Sequence, residues 1–111
     1  MLGVMAQAAV FTPTTLPNPK AQDSNNYVCN PDEIVATNEV MFLNRLARQL
    51  EDSTQVELCV VAVNSIGEME AFDFCYEVFQ RWGIGKEGKN TGVLLFLAVE
   101  SRDIRIMTGG G

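Results

Sequence analysis

Residues 81–111 read RWGIGKEGKNTGVLLFLAVESRDIRIMTGGG, and this stretch decides the fold. It begins where a helical apolar stripe ends, at Trp82. Gly83 follows, a natural residue just past a helix because the left-handed conformation costs glycine little. A loop carrying Gly83, Gly85, Gly88 and Gly92 leads into VLLFLAV, apolar at every position, as expected of a strand buried on both faces. After the polar connection Glu100-Ser101-Arg102-Asp103, the pattern switches to alternation in IRIM. Such alternation predicts a half-buried antiparallel edge strand.

Working back toward the N-terminus, Phe72, Cys75, Phe79 and Trp82 recur at helical spacing, with Ala71 and Val78 beside them, so a helix is expected over residues 68–82. Before it, LCVVAV within residues 56–63 reads as a second strand with both faces covered, closed by Asn64-Ser65-Ile66-Gly67. Before that, Val40, Leu43, Ala47 and Leu50 mark a helix over residues 38–52, with Thr37 expected as its N-cap and Glu39 favouring the dipole. The order helix, strand, helix, strand, strand predicts an α/β fold, a small central sheet with helices packed on it. The expected core is Leu43, Leu46, Leu50, Leu58, Val60, Val61, Phe72, Phe79, Trp82, Leu94, Leu95, Phe96 and Ile106. Arg105 is expected on the solvated face of the last strand.

At 111 residues the chain is one domain, 47% apolar, with a net charge of −6 and no histidine. The acidic balance repels a phosphate backbone, so no nucleic-acid partner is expected. Without histidine, Ser-His-Asp and Cys-His catalysis are excluded. Cys29, Cys59 and Cys75 have no CxxC spacing, and an odd count does not make a disulfide framework. Cys59 and Cys75 read as buried hydrophobes, Cys29 as the exposed thiol.

The first residues look cut from an export signal. Residues 2–8 are an apolar run closing on the small-x-small triplet Ala6-Gln7-Ala8. Residues 11–26, with Pro13, Pro17 and Pro19 among polar residues, are expected to be a disordered leader. Residues 1–26 are thus read as signal remnant and leader, and residues 27–111 as the folded domain. No stretch approaches the length of a transmembrane helix. A monomer on the extracytoplasmic side is expected.

Two constellations carry candidate chemistry. GIGKEG over residues 83–88 has the letters of a dinucleotide fingerprint, but it follows a helix and opens a strand, the reverse of the required context. The glycines leave two readings open: backbone amides approaching an anion beside Lys86 and Lys89, or a flexible connection. The second constellation is acidic. Residues Glu68 and Glu70 follow one strand's C-terminal end, and Glu100 and Asp103 follow the other, where ligands of α/β sheets gather. Oxygen groups there suit a hard cation such as Ca2+ or Mg2+, or simply make a solvated rim.

The stretch WGIGKEGKNTGVLLFLAVESRDIRIMTGGG closely resembles the hallmark of the TPM-domain family: a Trp-Gly-Ile-Gly start, a Gly-Lys, an Asn-Gly before a Val-Leu-Leu strand, an Arg, an Ile-rich strand and a Gly-x-Gly. Upstream, YVCNPDEIV is similar to the family's Val-x-Asp opening and VELCVVAVNSI to its first strand and turn, so the resemblance spans residues 27–111. It implies an α/β/α sandwich, exported or membrane-tethered in bacteria, hence a periplasmic or extracytoplasmic location. It also implies one of two roles: an accessory or binding module for a membrane-complex or envelope partner, or a metal-dependent acid phosphatase acting on phosphomonoesters.

Carried over residue by residue, the resemblance points to Asp32 and Arg102 as catalytic candidates. The binding loop would be Gly83, Gly85, Lys86, Gly88, Lys89, Asn90, Thr91 and Gly92, and a Ca2+ or Mg2+ set would be Asn30, Asp32, Asn90, Glu100 and Asp103. The chain departs from the pattern where the family's opening Asp falls on Asn30, its Asn before Gly-Val-Leu on Thr91 and the preceding Asp on Asn90. These changes weaken a metal site. Family members continue beyond the Gly-x-Gly, so the domain is expected to be trimmed at its C-terminal end.

Overall fold

In the computed structural model, which describes residues 9–85 and 91–109, the elements run α1 (Pro19–Gln22), β1 (Val28–Cys29), α2 (Thr37–Thr54), β2 (Glu57–Val63), α3 (Ala71–Trp82), β3 (Gly92–Ala98) and β4 (Asp103–Thr108). The four strands form one mixed sheet in the order β1-β2-β3-β4. The first three are parallel, with Val28 opposite Val60 and Glu57 opposite Gly92. β4 returns antiparallel, Val93 opposite Thr108 and Ala98 opposite Asp103. The expected α/β class and the helix–strand order from residue 37 onward are therefore what the chain adopts.

One face of the sheet carries the main core. Cys29, Cys59, Val61, Val63, Leu94, Phe96 and Ala98 pack under Ala71, Phe74, Cys75 and Val78 of α3. Phe74 and Phe96 meet at 5.4 Å between ring centroids, in the range aromatic pairs prefer. The inward residue of the first turn is Phe74; Phe72, expected in the core, is exposed and stacks along the helix surface on Tyr76 at 6.3 Å. The helix begins at Ala71 rather than residue 68, capped by the Glu70 carboxylate, which accepts from the Asp73 amide at 3.2 Å. The pairing of Gly83 with the helix end is as expected: it is left-handed, φ 59°, and its N–H reaches back to the carbonyls of Phe79 and Gln80.

The other face is half covered. α2 lies over β1 and β2, burying Ala47 against Val28, Val60 and Ala62, but it does not extend over β3 and β4. Val93, Leu95 and Leu97 are only half-buried, so β3 is not the doubly covered strand its composition suggests. Between α2 and the hairpin runs an open apolar hollow of about 280 Å³, lined by Val35, Leu43, Leu95, Leu97 and Ile104 among others. Leu46 and Ile106, expected in the core, are exposed for this reason. α2 starts at Thr37, with Ala36 at the cap position and no side-chain cap, so Thr37 is the first helical residue and not the N-cap.

The largest departure is at the N-terminal side. Residues 10–22, expected to be disordered, form a strap across the α3-side face. Phe11 N–H donates to Ser65 O at 3.1 Å, Val10 bridges Ser65, and Leu16 enters the core at 4% exposure. Cys29, expected exposed, lies beneath it and its thiol donates to Pro17 O at 3.1 Å. Proline-rich polar composition concealed the apolar side chains, Leu16 and Phe11 foremost, that anchor the segment. Residues 1–8, which carry the expected signal remnant, lie outside the described residues.

Replacing Leu16 with Ala is expected to lower the unfolding free energy by about 2–5 kcal/mol, measured by urea denaturation. A loss within about 0.5 kcal/mol, the range of ordinary surface changes, would show that the strap contributes no packing.

Candidate functional site

The topology separates the sequence-predicted site residues into two groups. β1, β2 and β3 all run the same way, so Asp32, Asn64, Ser65 and Glu100 follow strand C-termini and share one rim. The described ends of the glycine loop, Gly83 to Gly85 and Thr91 to Gly92, lie at the other end, where the chain enters β3. Seven residues of strand, roughly 20 Å, stand between them. A single site combining the glycine loop with Asp32 and Glu100 is therefore not formed.

The rim is built by backbone. The Asp32 carboxylate accepts from the Asn64 amide at 2.9 Å, tying the β1–α2 turn to the end of β2. The Glu100 amide donates to Asn64 O at 2.9 Å and the Val99 amide to Val63 O at 3.0 Å, tying the β3–β4 turn to the same point. A shallow depression of about 190 Å³ opens there, lined by Ser65, Ile66, Gly67, Glu100 and Ser101. Both long helices start at this rim, so their positive dipole ends face it. Arg102 sits in the turn, exposed and left-handed at φ 57°. Arg105 is exposed, as expected, but on the α3 side, its guanidinium 3.9 Å from Glu70, while Ile104 and Ile106 take the open face. The alternation was legible, but which face lacked a cover was not.

Of the proposed cation ligands, Asn30, Asp32, Glu100 and Asp103 are described. Asn30 is occupied locally: Oδ1 accepts from the amides of Ile34 and Val35, and Nδ2 donates to Val35 O at 2.8 Å. Its side chain shapes the turn that presents Asp32. Glu100 is exposed and Asp103 half-buried at the turn. Among the described residues no three His, Cys, Asp or Glu side chains lie close enough to hold an ion. The described residues of the set do not by themselves form a ready metal centre. Lys86, Gly88, Lys89 and Asn90 lie outside the described residues.

At the opposite end the glycines have a packing reason. A Cβ on Gly92 would collide with Ile84 O, and one on Gly85 would stand 2.6 Å from Gly92 N. The chain crosses itself where the loop closes, and only hydrogen fits between the strands of the crossing. Glu57 clamps this crossing. Its carboxylate accepts from the Gly85 amide at 2.7 Å, its own amide donates to Thr91 O at 2.8 Å, and Lys20 of the strap lies 3.8 Å from its second oxygen. The same Lys20 ammonium stands 3.6 Å from the centroid of the Tyr27 ring. Sequence reading passed over Glu57. The signal available was one carboxylate at the mouth of an otherwise apolar strand.

Burial governs the titrating groups. The Cys29 and Cys75 thiols are each pushed up to about 12, chiefly by desolvation, and Cys59 is pushed up for the same reason. The nearby Asp32 adds to the rise at Cys29. Thiolates are thus disfavoured, which removes nucleophilic cysteine chemistry. Tyr27 is raised to about 12 by burial first and then by its hydrogen bond to Glu51 at 2.8 Å.

With this geometry in place, comparison with known proteins settles the class. The TPM domain profile matches residues 28–111, and the chain belongs to that family. A solution NMR structure of the N-terminal domain of a protein from P. gingivalis is 32% identical, with a TM-score of 0.83. The match covers 93% of this chain and 66% of that one, so the chain spans just under two thirds of its structural relative. No curated protein matches.

Two outcomes follow. Because these thiols and Tyr27 hold their protons more tightly folded than unfolded, stability is fully present below pH 9 and falls as pH rises through 9–12. Urea midpoints taken across that range should decline, and Tyr27→Phe should remove part of the decline above pH 10. Separately, Asp32→Ala leaves the Asn64 amide without its acceptor and is expected to cost about 1–3 kcal/mol. Hydrogen exchange at Asn64 should accelerate while the amides of Val61 and Phe96 stay protected.

Proposed function

We propose that this TPM domain works as an exported binding module, held at the extracytoplasmic membrane surface, whose acidic rim recognises a basic face of an envelope or membrane-complex protein. The reading is carried by the Asp32–Asn64 bond. The carboxylate best placed for chemistry is engaged with backbone, and the other described acids of the rim (Glu68, Glu70, Glu100, Asp103) spread along it without converging. What remains is an open surface of carboxylates, with a chain charge of −6 behind it, which steers cationic surfaces toward contact. The apolar run closing on Ala6-Gln7-Ala8 supports export.

The alternative is a phosphatase acting on phosphomonoesters. Two things favour it: the family profile bears the name TPM_phosphatase, and Arg102 and Arg105 stand at the same rim as Asp32 and could neutralise a phosphoryl group.

The two readings separate in one assay. Hydrolysis of a phosphomonoester, with and without Ca2+ or Mg2+, is expected to stay at the buffer rate. In parallel, a lysine-rich peptide should shift the amides of Asn64, Ser65, Glu100 and Ser101 in an NMR titration. Metal-dependent turnover that disappears in folded Asp32→Ala and Arg102→Ala variants would reverse the ranking.

A further inference from the structure

The α3-side face of the sheet has two roofs of different construction. α3 packs on β3 and β4, and Cys75 faces inward from it. Over β1 and β2 the roof is the strap, residues 10–22. Its buried side chains are Pro13, Leu16 and Pro19, one residue in three, with Phe11 partly buried beside them. Two thiols lie beneath it. Cys29 donates to Pro17 O at 3.1 Å, and Cys59 shares with Asn18, Pro19 and Lys20 the lining of a small cavity of about 30 Å³.

Much of the strap's backbone bonding is its own. The Thr15 and Leu16 amides donate to Thr12 O, and the Ala21 amide to Asn18 O, so these bonds need no sheet. Among the described residues its polar ties to the body are Phe11 N–H to Ser65 O, the Cys29 thiol to Pro17 O, and Lys20 against Glu57 and the Tyr27 ring. The strap is rooted at residues 23–26, a polar turn exposed from Asp23 to Asn25. Past that turn the chain is fixed to α2, with the Tyr27 amide donating to Asn44 Oδ1 at 2.7 Å and its hydroxyl to Glu51 at 2.8 Å. Ordering the strap costs backbone freedom at every residue, and a few side-chain anchors offset that cost. A segment built this way belongs to the low-stability end of a fold, whereas the β2–β3 ladder belongs to the other.

We propose that the strap is a thiol-sensitive latch: it docks and undocks as one unit about the 23–26 turn while the sheet and both long helices stay folded, uncovering Cys29 and Cys59 together but not Cys75. The docked strap keeps both thiols desolvated and protonated, so a small-molecule disulfide meets a usable thiolate only after release. The Cys29 thiolate then attacks one sulfur of that disulfide, the S–S bond breaks, and the other half leaves as a thiolate. The mixed disulfide occupies the place of Pro17 O, 3.1 Å from Sγ when the strap is docked, so the strap stays off until a reductant removes the adduct. The latch does not depend on the recognition role of the rim.

Labelling with Ellman's reagent, each cysteine located by peptide mass spectrometry, tests it. In the unmodified chain Cys29 and Cys59 should react roughly tenfold or more faster than Cys75, at rates that barely change with urea below the unfolding transition. Leu16→Ala should speed both by roughly tenfold or more. Val60 lies on the opposite face of the sheet, so Val60→Ala weakens the docked and released forms alike. It should speed Cys75 through global unfolding and leave Cys29 and Cys59 unchanged. The labelled chain should lose hydrogen-exchange protection at Phe11, keep it at Val61 and Phe96, and regain the first when dithiothreitol is added. Three thiols sharing one rate and one urea dependence overturn the proposal, as does labelling of Cys29 without Cys59. So does a Val60→Ala chain in which all three speed equally, or a labelled chain whose Phe11 amide stays protected. The urea series and the exchange measurement use the unmodified sequence, so they decide the matter even where Leu16→Ala does not fold.

Discussion

Everything in this domain leans on the parallel pairing of β2 with β3, seven residues against seven, with Val61 beside Phe96 under the ring of Phe74. The two strands are joined through α3, the crossover connection that a parallel pair requires. Once formed, it fixes both ends at once. The C-terminal ends bring the turns after β1, β2 and β3 together around Asn64. The N-terminal end brings Glu57 against the point where the glycine loop closes.

The two ends are built by the same device and do different things. At each, a half-buried carboxylate takes a backbone amide from a distant turn, Asp32 from Asn64 and Glu57 from Gly85. Such charge-assisted bonds are stronger than neutral ones and hold loops that hydrophobic packing cannot reach. Glu57 is enclosed by the strap and Lys20, so its end is a closed joint. Asp32 stands beside an open depression and two helix N-termini, so its end is the one with access to a partner.

The sheet is also covered unevenly. On the α3 side, helix and strap between them cover all four strands, and Leu16 supplies the piece that α3 leaves out. On the α2 side nothing described covers β3 and β4, and the apolar hollow there is the counterpart of the strap's position. A two-layer core needs each sheet face buried, and the exposure of Leu46, Ile104 and Ile106 is the measure of how far this face falls short.

By itself the sequence determined the class of fold, the order and approximate bounds of both long helices and the last three strands, the glycine cap at Gly83, and membership of the TPM family. These are local properties: apolar period, glycine chemistry and a motif contiguous in the chain. β1 escaped notice because a two-residue strand has no period to detect. Phe72 and Phe74 could not be told apart because both lie on an apolar-rich helix, and only the docking angle selects one. The candidate site divided for a similar reason. Asp32, Glu100 and the glycine loop are all loop residues flanking strands, and sequence does not weigh which end of a sheet a loop occupies as heavily as a motif suggests. Parallel pairing decided that, because it sends the entry and exit of β3 to opposite ends some seven residues apart. The tertiary structure alone decided that Gly85 and Gly92 serve a backbone crossing, that a proline-rich leader carries a core residue, and that the polar rim stands clear of both.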